Sequence, residues 1–530
     1  MHITRRSLVC LTASLVLSLA IDIGVAGTAS KTTDEGLHAN YGMNVLHFQP
    51  DHRRNGFYDS QMPISALNAV PLAIGSYLQA RQLLPRASKV LGDFKVARSA
   101  TILATLLLNL LVFLWTYDLY GEWPAMAACL LCMLSPNLIA NGTLTTTDMY
   151  CTAGMIGSLL VFHHFLLRPT VVNAMFTGLA LAVAQITKSF VLVLYPVTFV
   201  ILAAVMLRRT TRQSLPPKRV LAFAGFAALW FIVVLNLTYS FDRTFAPLSS
   251  YKFETAFFNR VQNTSLLSRV PVPVPYPFLQ GLDMTKQSEE TGRSYGNVYL
   301  LGQLRDPRDP RFRPFKSYYV VAWFYKTPIG LQILFFLGLF WITRNRALDD
   351  LIRGEASLLM AAIVLVLWLS FSKAQIGIRH TLPALAVEIV IAAAAFHNFP
   401  LKRRPAKFLL AGLVIWQAVS VASYYPQMIP YMNEWLHDRR FAYQILSDSN
   451  LDWGQDQDIV DRYLQNNPDV VLDPPRLVAG RILVRADRLT GVYRRDRCCT
   501  YLEEQYLPVA QVGYAHFLFV IPPSDEAGAR

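Results

Sequence analysis

Apolar runs long enough to cross a lipid bilayer recur along most of the chain, and they restrict its fold more than any other feature. A spanning helix needs about 20 mainly apolar residues, whereas core helices of soluble proteins carry a polar face. The composition agrees, with 53% hydrophobic residues and a mean hydropathy of +0.32. About eleven candidate spans are predicted. Their limits are 7–27, 98–117, 123–140, 149–167, 170–187, 189–207, 220–238, 326–343, 356–371, 381–397 and 408–425.

The basic residues predict how these spans alternate across the membrane, because Lys and Arg collect in cytoplasmic loops. Arg5 and Arg6 precede the first run, which places the N-terminus inside. The loops then predicted inside carry Arg168, Arg208, Arg209, Arg212, Lys218, Arg219, Arg344, Arg346, Arg353, Lys402, Arg403, Arg404 and Lys407. The short outer loops carry only Lys188, Lys373 and Arg379. The net charge of +14 is therefore a topology signal, and nucleic acid is not expected as a partner.

Three polar stretches are predicted to lie outside, namely 28–97, 239–320 and 426–530. We expect a membrane domain over 1–425 and a small extracytoplasmic α+β domain over 426–530. In that domain the pattern favours a helix near 454–465, with strands at 476–485 and 511–521. The first run also resembles a cleavable signal peptide, since Gly27-Thr28-Ala29 supplies small residues at its end. Either interpretation leaves residue 34 outside.

The first outer stretch opens on a pair of acids. Thr32 and Glu35 have the spacing of a helix capping box, so Asp34 falls in the first turn of a surface helix. His38 follows one turn later on the same face. Both acids could simply complement the helix dipole, and this alternative is stronger for Glu35. If Thr32 caps the helix, Asp34 is not needed for this structural role.

A second acid, Asp148, ends the short loop between the third and fourth spans. The alternation places it outside, at the depth of Asp34. It could serve only as the N-cap of the fourth span. Two carboxylates at one depth on the outer side are nevertheless the arrangement that acid–base chemistry needs.

Several motifs together resemble the GT-C fold glycosyltransferases that use polyprenyl-phosphate sugars, the protein-mannosyltransferase-like and aminoarabinose-transferase-like group. The resemblance covers about residues 30 to 465 and follows a bacterial branch. The segments that carry it are Asp34-Glu35, Leu134-Ser-Pro-Asn137 leading to Thr146-Thr-Asp148, Tyr299-Leu-Leu-Gly302, Tyr318-Tyr319, Lys326-Thr-Pro-Ile-Gly330, Gly377-Ile-Arg-His-Thr-Leu-Pro383 and Asp448-Ser-Asn-Leu-Asp-Trp-Gly-Gln-Asp456.

The resemblance implies a hexosyl- or pentosyltransferase, mannosyltransferase-like, in the inner (plasma) membrane of the cell. A polyprenyl-phosphate-linked sugar would be transferred to an envelope acceptor by an inverting single displacement. Asp34 would be the general base, and Glu35 and Asp148 would position the acceptor and the base. No cofactor is required by the pattern, although Glu35 or Asp148 would contact a divalent cation if one is used.

The leaving phosphate needs cations directed at it. The outer side offers Lys188, Arg293, Lys326, Arg379 and His380, with His38 as a further substrate-binding residue. Arg379 is preferred, because a guanidinium holds phosphate through two donors. Lys188 and Lys326 could instead be helix-end side chains whose ammonium groups reach the interface.

Two other interpretations remain open. The series from Asp448 to Asp458 begins like a calcium loop, but Trp453 replaces the required Gly and Ile459 the final ligand. No metal site is therefore predicted. A multi-pass transporter or flippase of lipid-linked sugars is the alternative function. It would rely on polar groups within spans, for which Asp22, Gln185 and Glu388 are candidates, but no pair of matching broken helices is evident.

Overall fold

The computed structural model describes residues 3–54, 56–208, 215–397, 404–493, 499 and 502–523. Four basic residues used for the orientation, Arg209, Arg212, Lys402 and Arg403, lie outside these ranges. Within them the chain is mainly helical, with a small sheet near the C-terminus, and the predicted fold class is confirmed. The division into domains at residue 425 stays a prediction.

The described residues contain seven helices that are long and apolar enough to cross a membrane: Arg5–Thr28, Phe94–Tyr120, Asp148–Leu167, Ser189–Leu207, Pro217–Thr238, Ile378–Phe396 and Arg404–Ala422. Two bent helix pairs raise this number to nine, and two shorter apolar helices span Val171–Gln185 and Glu355–Ser370. Each predicted run coincides with one of these elements. The chain is a multi-pass membrane protein.

Two predicted spans are bent, which the sequence pattern did not indicate. Glu122–Met133 and Pro136–Gly142 meet at 61°, and Tyr318–Lys326 and Ile329–Asn345 meet at 112°. A proline stands at each break, Pro136 and Pro328. Proline lacks the N–H that continues a helix, and it pushes the preceding residue toward an extended conformation. Neither bend was predicted from the sequence, in which no pair of matching broken helices was evident.

Segments predicted to share one side of the membrane contact each other at one end of the helical bundle. At the end predicted to be cytoplasmic, Arg208 pairs with Asp349 at 2.6 Å, and Ser7 donates to Glu122 at 2.7 Å. His163 bonds the carbonyl of Arg353 at 2.6 Å at the same end. The opposite end gathers the loops that carry the predicted functional residues.

That opposite end is covered by shorter elements. Its helices are Glu35–Leu46, Ala66–Ala80, Pro85–Leu91, Ala256–Gln262 and Tyr276–Thr291. A hairpin of β1 (Val298–Leu300) and β2 (Gln303–Arg305) follows. Among them, Glu35–Leu46 packs on Ala66–Ala80, which is possible because a buried glycine, Gly42, touches the backbone of Ser65.

The C-terminal region contains a four-stranded sheet in the order β3-β4-β6-β5, with β3 Val470–Leu472, β4 Gly480–Arg485, β5 Ala510–Val512 and β6 His516–Ile521. Strands β3 and β4 are parallel, and the other pairs are antiparallel. The helix Gln457–Asn466 packs Ile459, Tyr463 and Leu464 against this sheet. The predicted helix and both predicted strands are confirmed.

Candidate active site

A cavity of about 350 Å³ opens at the end of the bundle where the predicted outer loops meet. Its wall combines residues from eight separate segments of the chain. Six of the nine residues expected at the site line it: Asp34, His38, Asp148, Lys188, Arg379 and His380. The other three, Glu35, Arg293 and Lys326, do not. The structure therefore brings together two of the three candidate acids, Asp34 and Asp148, with two candidate phosphate-binding cations, Lys188 and Arg379.

Asp34 stands at the start of the helix Glu35–Leu46, as its N-cap residue. Its side chain makes no capping hydrogen bond and is directed instead to Arg379, whose Nη1 donates to Asp34 Oδ2 at 2.8 Å. The Asp34 side chain stays 29% exposed, whereas that of Arg379 is only 9% exposed. An ion-paired carboxylate that still contacts the cavity can accept a proton from a bound hydroxyl group.

Asp148 and Lys188 form a second acid–cation pair on the same wall. Asp148 is the first residue of the helix Asp148–Leu167, and Lys188 precedes the turn Ser189–Val193. The ammonium of Lys188 donates to Asp148 Oδ1. The acid is buried and the lysine nearly so. Lys188 is therefore paired with an acid of the cavity wall.

Two histidines complete this part of the wall. His38 is buried, and its Nδ1 lies 3.3 Å from Ser65 Oγ. Burial lowers the pKa of His38 from 6.5 to about 4, against the attraction of Asp34 and Asp148. His38 is thus a neutral hydrogen-bonding group at neutral pH. His380 is also lining, and its buried Nδ1 has no partner among the described residues.

Glu35 occupies a different environment from its neighbour Asp34. Its carboxylate is fully buried and accepts two bonds from Arg98, each 2.8 Å long. The backbone N–H groups of Thr32 and Thr145 donate to it as well, both at 2.8 Å. Half of the predicted capping box therefore forms, since Thr32 Oγ1 makes no reciprocal bond. Glu35 therefore uses its acceptor capacity within the protein and does not line the cavity, and its expected role in the site stays a prediction.

Lys326 and Arg293 also lie away from the cavity wall. Lys326 is buried, and its ammonium donates to the carbonyls of Ile429 and Asn450, both at 2.6 Å. It holds the broken helix Tyr318–Lys326 against the C-terminal region, so the proposed phosphate contact is not supported. Arg293 is exposed next to Ser294, which lines the cavity, but Arg293 is not itself a lining residue.

The C-terminal region supplies lining residues that sequence reasoning did not assign to the site, namely Asp448, Trp453 and Tyr493. The guanidinium of Arg379 lies 4.0 Å from the centre of the Trp453 ring. Burial raises the pKa of Asp448, an effect that Arg379 opposes. Asp448 and Trp453 belong to the motif Asp448–Asp456 noted in the sequence. The motif could be recognised, but its contact with Arg379 could not be predicted from the sequence.

The far side of the cavity is polar. Glu289 accepts bonds from Tyr295 Oη at 3.1 Å and from Ser372 Oγ at 2.7 Å. Asp59 accepts from Ser288 Oγ at 2.6 Å. These residues come from three separate outer segments, so no short sequence motif could predict that they lie together. Acids and hydroxyls beside aromatic rings form a lining suited to a hydroxyl-rich ligand.

A metal ion finds little support in the donor set. Within the described ranges no group of three or more His, Cys, Asp or Glu side chains is arranged to hold one. Glu35 is committed to Arg98, and Asp148 is paired with Lys188. The two acids expected to contact a divalent cation therefore do not fit that role.

Comparisons with known proteins agree with the class of protein expected from the sequence. The sequence profile of the family described as "Dolichyl-phosphate-mannose-protein mannosyltransferase" matches residues 88–236, a range that contains Asp148 and Lys188. None of the curated proteins gives a significant match in sequence. The family match confirms the resemblance to the GT-C fold, polyprenyl-phosphate-dependent glycosyltransferase group.

Solved structures with a related arrangement include the archaeal oligosaccharyltransferase AglB from Archaeoglobus fulgidus, in complex with an inhibitory peptide and a dolichol-phosphate. It is 12% identical, with a TM-score of 0.49, over 87% of this chain and 60% of that one. The chain thus spans less than two thirds of AglB. ArnT from Cupriavidus metallidurans, bound to undecaprenyl phosphate, is 13% identical over 97% of both chains, with a TM-score of 0.30.

Proposed function

We propose that this protein is a membrane glycosyltransferase that moves a sugar from a polyprenyl phosphate to an acceptor in the cell envelope. The observation that carries this proposal is the cavity in which Asp34 pairs with Arg379 and Asp148 pairs with Lys188. The family match over 88–236 supports the same reaction class. The sugar is a hexose or a pentose.

The reaction is an inverting single displacement. The acceptor hydroxyl or amine attacks the anomeric carbon of the donor, and the bond from that carbon to the phosphate oxygen breaks. Asp34 takes the acceptor proton, and the bonding electron pair leaves with the lipid phosphate. Asp34 suits the role of base because its carboxylate pairs with Arg379 and is still exposed to the cavity.

Arg379 and Lys188 stabilise the charge that develops on the leaving phosphate. Arg379 has a buried Nε with no hydrogen-bond partner among the described residues. A buried donor without a partner is costly, and a phosphate oxygen would satisfy it. Because a guanidinium donates in several directions, Arg379 can contact both Asp34 and the phosphate during the reaction.

A transfer assay tests this function. Purified protein is mixed with radiolabelled polyprenyl-phosphate sugars, taken one at a time, and with envelope fractions as acceptor. Transfer from at least one donor is expected, with loss of transfer in Asp34→Asn. Asp461→Asn, at an exposed position on the helix Gln457–Asn466, is the matched control and should keep full activity. A folded protein that transfers from no donor would contradict the proposal.

We also propose that the site faces away from the cytoplasm. The predicted orientation supports this, because the cavity is built from the loops predicted outside. Cysteines are introduced at Asp461 or at Asp350, both exposed and at opposite ends of the bundle, in a background without other cysteines. In intact cells an impermeant thiol reagent should label Asp461→Cys and not Asp350→Cys. The reverse labelling would place the site in the cytosol.

A further inference from the structure

One loop of the C-terminal region, residues 447–456, reaches the cavity, and we name it the tail loop. It is bonded closely to the segment that carries Arg379. Asn450 Oδ1 accepts from the backbone N–H of Ile378 at 3.0 Å, and Ser449 Oγ donates to the carbonyl of Ile376. Gly377, which lies between Ile376 and Ile378, has a φ of +147°, and a β-carbon at this position would collide with Ser449. The tail loop and the Arg379 segment are therefore fitted to each other.

The tail loop also holds the segment that carries Asp34. The backbone N–H of Thr33 donates to the carbonyl of Trp453 at 3.1 Å, and that of Ser30 donates to the carbonyl of Gln455 at 2.9 Å. Trp453 thus bonds the residue before Asp34 through its backbone. Its ring meanwhile packs on the guanidinium of Arg379 at 4.0 Å. A single residue therefore contacts Arg379 and the residue next to Asp34.

The stacking geometry suits a cation that must bind a phosphate. An aromatic ring contacts the flat face of a guanidinium, and the N–H donors lie at its edge. Arg379 uses Nη1 for Asp34, while its buried Nε has no hydrogen-bond partner within the described part of the chain. Stacking therefore fixes the plane of the group without consuming the donors that a phosphate needs.

We infer that Trp453 is a positioning residue of the reaction, which holds the Arg379 guanidinium in the orientation that receives the phosphate of the lipid-linked donor. This inference rests on the proposed function. The C-terminal region then completes the site, because the tail loop sets the geometry of the Asp34–Arg379 pair from outside the membrane-spanning part.

A purely structural role for Trp453 must be separated from this one. The Trp453 side chain is also buried in an apolar cluster with Val25, Leu144 and Tyr424, so a small replacement would leave a void. Trp453→Leu keeps an apolar side chain and removes the aromatic face, whereas Trp453→Phe keeps both in part. The control is Trp435→Leu, because Trp435 stacks on Phe324 in the same region without lining the cavity.

The experiment measures transfer kinetics and, separately, the affinity for undecaprenyl phosphate in the full chain. Trp453→Leu is expected to lower kcat/KM for the donor about 3- to 30-fold and to weaken undecaprenyl phosphate binding by a similar factor. Trp453→Phe should recover most of the loss. Trp435→Leu should equal the wild type in both measurements.

A double variant tests whether the effect passes through Arg379. In an Arg379→Gln background, the replacement Trp453→Leu should change undecaprenyl phosphate affinity by less than about twofold, since no guanidinium remains to be oriented. The same factor in both backgrounds would overturn the inference, as would an unimpaired Trp453→Leu. Wild-type binding and transfer in Arg379→Gln would also overturn the inference, because Arg379 would then not receive the phosphate. A folded wild-type protein that transfers from no donor would instead contradict the proposed function, which is a distinct outcome.

Discussion

Asp34 and Glu35 are consecutive acids at the start of one helix, yet the structure gives them opposite surroundings. Asp34 pairs with Arg379 and keeps 29% of its side chain exposed to the cavity. Glu35 pairs with Arg98, and both side chains are almost completely buried. Successive residues of a helix point in different directions, so a step of one residue moves an acid from a reaction cavity into the protein interior.

The difference lies in what remains available to a ligand. Glu35 has four donors from the protein around its two oxygens. Asp34 accepts one side-chain bond, so it retains acceptor capacity. An ion pair is therefore functional or structural according to its unused hydrogen-bonding capacity and its access to water, and the residue types alone do not decide.

The largest expected effect follows from removing the charge of Asp34. Asp34→Asn should reduce turnover about 100- to 10,000-fold, the usual contribution of a general base, because an amide cannot accept the acceptor proton. Donor binding and the melting temperature should stay close to the wild type. Residual activity within tenfold of the wild type would mean that Asp34 is not the base and would remove the distinction drawn here.

Removing the charge of Glu35 should act on stability instead. Glu35→Gln leaves the buried guanidinium of Arg98 without a counterion, and breaking such a pair costs about 3–5 kcal/mol. The measurement is thermal unfolding of the purified protein followed by intrinsic fluorescence, with the exposed Glu434→Gln as control. An unchanged melting temperature together with a large loss of turnover would reverse the roles of the two acids.

His38 lies one turn beyond Asp34, and we expect it to make the stability of the protein depend on pH. Its pKa falls from 6.5 to about 4 because burial disfavours the imidazolium. The unfolded chain thus binds a proton between these values while the folded protein does not. The resulting stability is fully present above pH 6.5 and is lost as the pH falls toward 4.

For a single group with this shift, lowering the pH from 7 to 5 costs roughly 2 kcal/mol. His38→Gln should flatten the fall in melting temperature over this range. Part of the slope should remain, since burial also lowers the pKa of His52 and His516 to about 4. An identical pH profile in the variant would mean that His38 is accessible to protons in the folded state.

The smallest effect is expected for the cation of the exposed pair. Arg379→Lys keeps the charge beside Asp34 but loses the planar set of donors, so kcat/KM for the donor should fall about tenfold. The wild type and Lys373→Arg, at an outer lysine beyond the cavity wall, serve as references. Full activity in Arg379→Lys would show that only charge is needed.

The spans, their order and six residues of the cavity wall could be predicted from the sequence because those signals are local. Run length fixed the helices, and the positions of Asp34, Asp148 and Arg379 beside predicted outer ends indicated a shared site. The bends at Pro136 and Pro328 were missed because a proline near an apolar run is compatible with either a continued or a broken span.

The roles of Glu35, Lys326 and Trp453 depend on partners far away in the chain. Glu35 is paired with Arg98, and Lys326 donates to carbonyls of Ile429 and Asn450. Trp453 meets Arg379 only in the folded protein. A single sequence does not show which distant residues form contacts. A motif can therefore locate an acid or a cation without predicting the role of that residue.

The position of the tail loop has a consequence for biosynthesis. Ribosomes make the chain from its N-terminus, and the cavity wall needs Asp34, then Arg379, then residues of the tail loop. Asp34 is therefore made long before the residues that contact its partner Arg379. A chain that ends before residue 447 would lack part of the cavity wall, so we expect the complete cavity to form only after the tail loop has been made.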